Sequence, residues 1–264
     1  MKHKIIKTTV ILLTLAAITP FFLLMGKLLS KVGMLFDPVL SSDLQGGILY
    51  GIYCGALIFV SAVIMTVPVG IWICFHIQNH PKNGLSVFLS KMEPVWAGAP
   101  PVLIAIAVYR WMVEPMGHVS IWAGSVVTAL LLFPKIIHVT GLALQKHAGL
   151  HENAMALGGS PVRIATKVMV PSASRQIAAG VVAAVAQMLG TCTILMITTF
   201  GISEMRLNWN GPGATVTLLT WDFFRRPETQ HLVWPMALFV IIIIDCFLIV
   251  SQLLYPKYDK RIYT

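Results

Sequence analysis

Residues 151–171 read HENAMALGGSPVRIATKVMVP, and how this stretch is read decides the fold. The ten residues 148–157, AGLHENAMAL, predict a short helix. Gly158 and Gly159 follow, suited to a helix stop that needs a positive φ. Ser160 and Pro161 then offer an N-cap and a first-turn proline for a second short helix over 161–169. Val162, Ala165, Val168 and Met169 form its predicted apolar stripe, and Pro171 its predicted end. Two readings stand at this point: a rigid knob that docks on a partner, or a surface hairpin without one.

Long uncharged runs surround the knob. Hydrophobic residues make up 57% of the 264, and charged residues 11%, against about 25% in an average soluble protein. So large an apolar surplus calls for a bilayer, in which about 20 apolar residues make one crossing. Six candidate spans result: 8–26; the run between Asp43 and Lys82, too long for one upright span; about 87–112; about 119–142; about 177–201; and about 231–254. The third carries Lys91, Glu93, Pro94, Pro100 and Pro101. A helix broken by prolines survives at membrane depth only where protein or water satisfies the freed backbone groups, so this segment is expected inside the bundle, near a pathway. The fourth is interrupted by Pro134 and Lys135.

Six crossings place both termini on one side. The positive-inside rule puts that side in the cytoplasm. Lys2, Lys4, Lys7, Lys82, Lys91, Lys146, Arg163, Lys167, Arg175, Lys257, Lys260 and Arg261 then lie inside, against Lys27, Lys31, Arg110, Arg206, Arg225 and Arg226 outside. This use of the cations accounts for the net charge of +9 without nucleic acid, for which no basic stripe with interleaved aromatics exists. The N-terminal lysines before an apolar run resemble a signal peptide, but no small-x-small cleavage site follows directly, and an uncleaved first span is expected. Cys54, Cys74, Cys192 and Cys246 form no CxxC pair and are expected to be small buried hydrophobes. His147 and His151 are four apart, but His151-Glu152 lacks the second histidine of HExxH at position 155, so no metal is expected. There is no GxxxxGK[ST], so the chain has no P-loop and any ATP must be used by a partner.

The knob carries a resemblance. Glu152, Asn153 and Ala154, three residues, Gly158, nine residues, then Val168-Met169-Val170-Pro171 match the EAA loop of binding-protein-dependent ABC importer permeases, written E-A-A, three residues, G, nine residues, I-x-L-P. The spacing fits without a gap. Asn153 departs at the second position, and Val168 and Val170 stand where the pattern has Ile and Leu. Gly46-Gly47-Ile48-Leu49, Val67-Pro68-Val69-Gly70, Trp96 to Pro101, Leu218 to Trp221 and Trp234 are similar to segments of the A-subunit permeases of phosphate importers. One segment departs. Where those permeases usually read R-A-L-G-E-T in the fifth span, this chain has Gln187-Met188-Leu189-Gly190-Thr191-Cys192, and both charges are gone.

The resemblance implies an all-α, six-span permease of the type I ABC importer fold. It would be a single membrane domain over 1–264, with a core at 46–254 and a cytoplasmic coupling loop at 143–175. That loop, through Glu152, Ala154, Leu157, Gly158, Arg163 and Pro171, would seat in an ATPase subunit. A second, homologous permease, two ATPase copies and a periplasmic or lipid-anchored solute-binding protein are the implied partners, in a bacterial inner membrane. ATP and Mg would sit on the ATPases, and this chain would bind no cofactor and catalyse nothing itself. Phosphate is the first candidate solute, and another small oxyanion or phosphorus compound the second.

Gln187 and Thr191, four apart, are expected on one helix face, where they either meet a passing solute or join neighbouring helices. Pro100 and Pro101 are placed beside the same pathway. Arg110 and Glu114 are expected to pair or to meet the binding protein. Arg110, Arg206 and Arg225 form the candidate docking surface for it, within outer segments that otherwise read as solvated loop, with a turn at Asn208–Gly213. Asp245, within the last span, needs a partner or water, most simply on a sister subunit. Two other classes fit less well. An integral membrane enzyme needs convergent acids, bases or metal ligands, and the ten carboxylates are scattered. An ion-coupled secondary transporter commonly shows internal repeats and intramembrane carboxylates, of which Asp245 alone is present.

Overall fold

The computed structural model describes residues 48–201 and 208–255, with Gly26, Lys27 and Ser30. The predicted span at 8–26, Gly46, Gly47 and Arg206 lie outside the described residues, Gly26 apart. Helices α1 (Ile48–Asn79), α2 (Gly84–Ala97), α3 (Pro101–Met116), α4 (Ile121–Gln145), α5 (Ala148–Ala156), α6 (Pro161–Leu189), α7 (Thr193–Thr198), α8 (Val216–Arg225) and α9 (Val233–Leu254) follow in order. Among the described residues there is no strand, only an isolated bridge between Phe200 and Gly213.

Four helices are long and apolar enough to cross a membrane, and the α2–α3 pair makes a fifth if it is one broken span. With 32 residues, α1 is about 48 Å long, well over the ~30 Å hydrocarbon layer, so it tilts or projects. Between α2 and α3 the chain bends by 102°. The cause is local. Pro101 forces the preceding residue out of helical geometry, and Pro100 is extended at φ −59°, ψ 125°. Gly98 N–H closes α2 on the Pro94 carbonyl at 3.0 Å, and Trp96 Nε1 donates to the Leu130 carbonyl of α4 at 3.1 Å. The expected break is thus present, and α4 holds its corner.

Lipid tails are as apolar as leucine, so close packing rather than the hydrophobic effect holds such helices together. Small residues allow it. Any Cβ on Gly180 of α6 would overlap Val139 of α4, and one on Gly70 of α1 would lie 2.8 Å from Ile136 Cγ2. The α1–α4 contact is the most extensive, and α6 packs between α4 and α9. One core, around Ile58, Leu132, Ile136 and Met236, fills the middle of the bundle. A second, of Ile73, Phe75, Ile137, Leu144, Ile164, Met169 and Ile177, lies at the end that carries α5.

The other end is tied by hydrogen bonds. Ser120 caps α4 by accepting from Ala123 N–H at 3.1 Å. Ile121 and Trp122 N–H reach the carbonyls of Gly211 and Trp209, at 2.9 and 3.1 Å. Asn208 Oδ1 accepts from Asn210 N–H at 3.1 Å, which makes the expected turn.

Several expectations are corrected. Pro134 and Lys135 do not interrupt α4, which runs unbroken to Gln145. Pro171 does not end the helix after Pro161. A π turn at Ala165–Met169, in which Val170 N–H bonds to the Ala165 carbonyl, carries the helix past it. The fifth span therefore begins at Pro161 and stops at Leu189, not Gly201. The π turn also rotates the buried face. Ile164 and Met169 are buried, while Val162, placed in the predicted apolar stripe, is 75% exposed. Cys54 and Cys74 are buried as expected, but Cys246 is exposed on α9.

Candidate functional site

The knob at 148–164 owes its shape to two glycines. Gly158 sits at φ +78°, a left-handed conformation costly for other residues. Its N–H bonds to the Met155 carbonyl at 3.0 Å, and Gly159 N–H to the Ala154 carbonyl at 3.1 Å. This pair of bonds is a Schellman stop, and it ends α5 where the sequence placed the end. A Cβ on Gly159 would lie 3.0 Å from Ala154 O and from Ile164 Cγ1, so the hairpin closes tightly. Ser160 takes the extended cap conformation, φ −68° and ψ 143°, but its side chain caps nothing.

The hairpin is anchored on one side and open on the other. Ala154 and Ile164 pack on the second core, and His151 Nε2 lies 2.8 Å from Asn79 Oδ1 at the end of α1. Glu152, Arg163 and Pro171 are exposed. So are the apolar side chains of Leu150, Met155, Leu157 and Val162, with Leu157 at 89%. Sequence reasoning missed the His151–Asn79 contact, because nothing in local spacing joins residues 72 apart.

The candidate pathway residues are brought together only in part. Gln187 lies in the last turn of α6, exposed. Thr191 lies beyond the helix end at Gly190, with its N–H on the Met188 carbonyl at 2.9 Å, so the two do not share a helix face. Pro100 and Pro101 are exposed at the α2–α3 corner. The partner of Gln187 is instead Lys135, whose Nζ donates to Gln187 Oε1 at 3.0 Å. One turn along α4, His138 Nδ1 lies 3.2 Å from Glu93 Oε1 on α2. The sequence marked Lys135 and Glu93 as charges within predicted spans, but their partners, 52 and 45 residues away, were not legible from it.

Two cavities accompany these residues. One, of about 350 Å³, is bordered by Cys74, Gln78, Ser90, Glu93, His138 and Gln145. The other, of about 410 Å³, lies between α1, α6, α8 and α9 and is walled almost wholly by aliphatic and aromatic groups such as Phe59, Val63, Val185 and Phe247. An apolar wall offers nothing to orient a polar solute.

Of the outer candidates, Arg110 and Glu114 pair at 2.7 Å, both exposed, as expected. Arg225 instead lies over the ring of Trp221, 4.7 Å from its centroid, and Arg226 pairs with the buried Asp222 at 2.9 Å. Asp245 is exposed and has no ion-pair partner among the described residues. No group of three metal-ligating side chains occurs among the described residues.

No family model matches the chain. Individual relatives do. The phosphate transport system permease protein PstA of Pasteurella multocida is 24% identical over 220 residues, 82% of this chain and 79% of that protein. PstA of Haemophilus influenzae is 25% identical over 232 residues, 83% of this chain and 82% of that protein. The probable PstA of Methanocaldococcus jannaschii is 25% identical over 253 residues, 92% of this chain and 89% of that protein. Among solved structures, a chain of the MetNI methionine ABC transporter, in an inward-facing conformation, superposes with a TM-score of 0.61 over 78% of this chain and 93% of its own, at 15% identity. The all-α importer-permease fold expected from the sequence is the fold observed.

Proposed function

We propose that this chain, similar to PstA permeases over about four fifths of its length and folded like a chain of an ABC importer, is a transmembrane permease subunit that passes phosphate by alternating access. It acts as a multi-pass protein of the inner membrane, with both termini in the cytoplasm. A second homologous permease completes the channel, two ATPase subunits hold the ATP and Mg, and a solute-binding protein delivers the anion from outside. The exchange of the usual charged pair for Gln187 and Thr191 keeps another small oxyanion as the second reading.

The observation that carries the reading is the hairpin of α5 and the start of α6: stiffened by a Schellman stop, fastened to the Asn79 end of α1, and exposing Leu157 and Val162. Apolar groups presented on a rigid base suit a groove on a soluble partner. ATP would draw two such hairpins together. The outer mouth then opens because each state is favoured by different contacts. Glu152, Ala154, Leu157, Gly158, Arg163 and Pro171 form or support the docking surface.

The test is import by the assembled complex. Glu152→Arg and Gly158→Pro are expected to stop uptake of inorganic phosphate while leaving membrane insertion intact. Uptake retained in both variants, or a wild-type chain that purifies without an ATPase subunit, overturns the coupling role.

A further inference from the structure

Lys135 lies 14 residues from the start of α4 at Ile121 and 10 from its end at Gln145. At 1.5 Å per residue, its backbone is about 15 Å from the nearer helix end. No Asp or Glu among the described residues lies within ion-pair distance of it. An ammonium group at membrane depth without a counter-charge is costly and is kept where it has a use. The end of α6, where Gln187 sits, offers it the negative pole of a helix, but that is a partial charge and leaves the ammonium uncompensated.

The chemistry of the Lys135–Gln187 contact is one-sided. Lysine has three donors and no acceptor, so it can meet only the carboxamide oxygen of Gln187. That contact uses the one acceptor group of the Gln187 side chain. Two N–H donors of the amide and two of the ammonium remain, around one positive charge. Four free donors around one positive charge repel cations and suit a compact anion with several acceptor oxygens. It stands at the junction of α4 and α6, two helices held so close that Gly180 has no room for a Cβ beside Val139. His138, one turn along α4 and bonded to Glu93, continues the polar face toward the knob-bearing end.

We propose that Lys135, held by Gln187, is the group that meets the anion within the membrane. This rests on the permease reading above and adds to it a named contact for the solute on α4. The experiment uses the complete complex in membrane vesicles, with Lys135→Met, Lys135→Arg and Lys135→Cys. At saturating inorganic phosphate, Lys135→Met is expected to lower the uptake rate at least tenfold, and Lys135→Arg to keep it within about threefold, with both variants still purifying with the ATPase. Lys135→Cys is expected to react with a water-soluble, membrane-impermeant thiol reagent above the wild-type background, and more slowly when phosphate is present. Wild-type uptake by Lys135→Met, or no reaction at Lys135→Cys, overturns the assignment and leaves the permease reading standing. A wild-type complex that imports neither phosphate nor another small oxyanion overturns both.

Discussion

At the scale of single residues, glycines and ion pairs contribute very differently. Gly180 is a contact residue, since α4 and α6 meet there without room for a methyl group. Gly180→Val forces the helices apart. Overpacking of this kind costs about 1–3 kcal/mol, to be read as a lower melting temperature of the detergent-solubilised protein. The Arg110–Glu114 pair is the opposite case. Both side chains are well exposed, at 70% and 48%, and solvent screens their attraction. Glu114→Gln is expected to change stability by less than about 0.5 kcal/mol in the same measurement. Gly158 was legible in advance, because a glycine after a short apolar helix has few other uses, and its φ of +78° bears that out. The Lys135–Gln187 contact was not legible. The two residues are 52 apart, and only the packing of α4 on α6 joins them.

At the scale of elements, one device occurs twice. The π turn at Tyr109–Val113 is followed by Glu114 and Pro115, and that at Ala165–Met169 by Val170 and Pro171. In each case the proline has no N–H to give, and its ring crowds the carbonyl four residues back, Trp111 or Lys167. The wider i→i−5 turn accommodates that carbonyl and lets the helix continue. Reading Pro171 as a stop was therefore mistaken for a physical reason. Proline forbids one hydrogen bond, and a helix that is packed on both sides can change its pitch instead of ending. The same logic did identify the α2–α3 corner, where Pro100 and Pro101 are adjacent and no wider turn satisfies both. Pro171→Ala removes the cause of the π turn and allows ordinary α pitch, which turns the hairpin relative to α6. It is expected to reduce transport per ATP hydrolysed at least threefold, measured on the reconstituted complex, while the protein still inserts.

At the scale of the whole molecule, the run lengths of apolar residues already marked α1, α4 and α9 to within a few residues, because bilayer thickness constrains them. The limits of α6 were less visible, as its first turn belongs to the hairpin and its end is set by Gly190. Orientation gives a further check. A cysteine at Asn208 is expected to react with an impermeant label in intact cells, and one at Glu152 only after the membrane is opened. The reverse pattern would invert the topology. The continuity of α6 has a mechanical consequence. From Pro161 to Leu189 it is a single rod of 29 residues, about 43 Å long. One end bears the exposed hairpin and the other bears Gln187. There is no slack linker between them in which a push on the hairpin could dissipate, so displacement at one tip must arrive at the other as tilt or twist. Only the widened turn at Ala165–Met169 can yield, and leaky variants that burn ATP without moving cargo should cluster there.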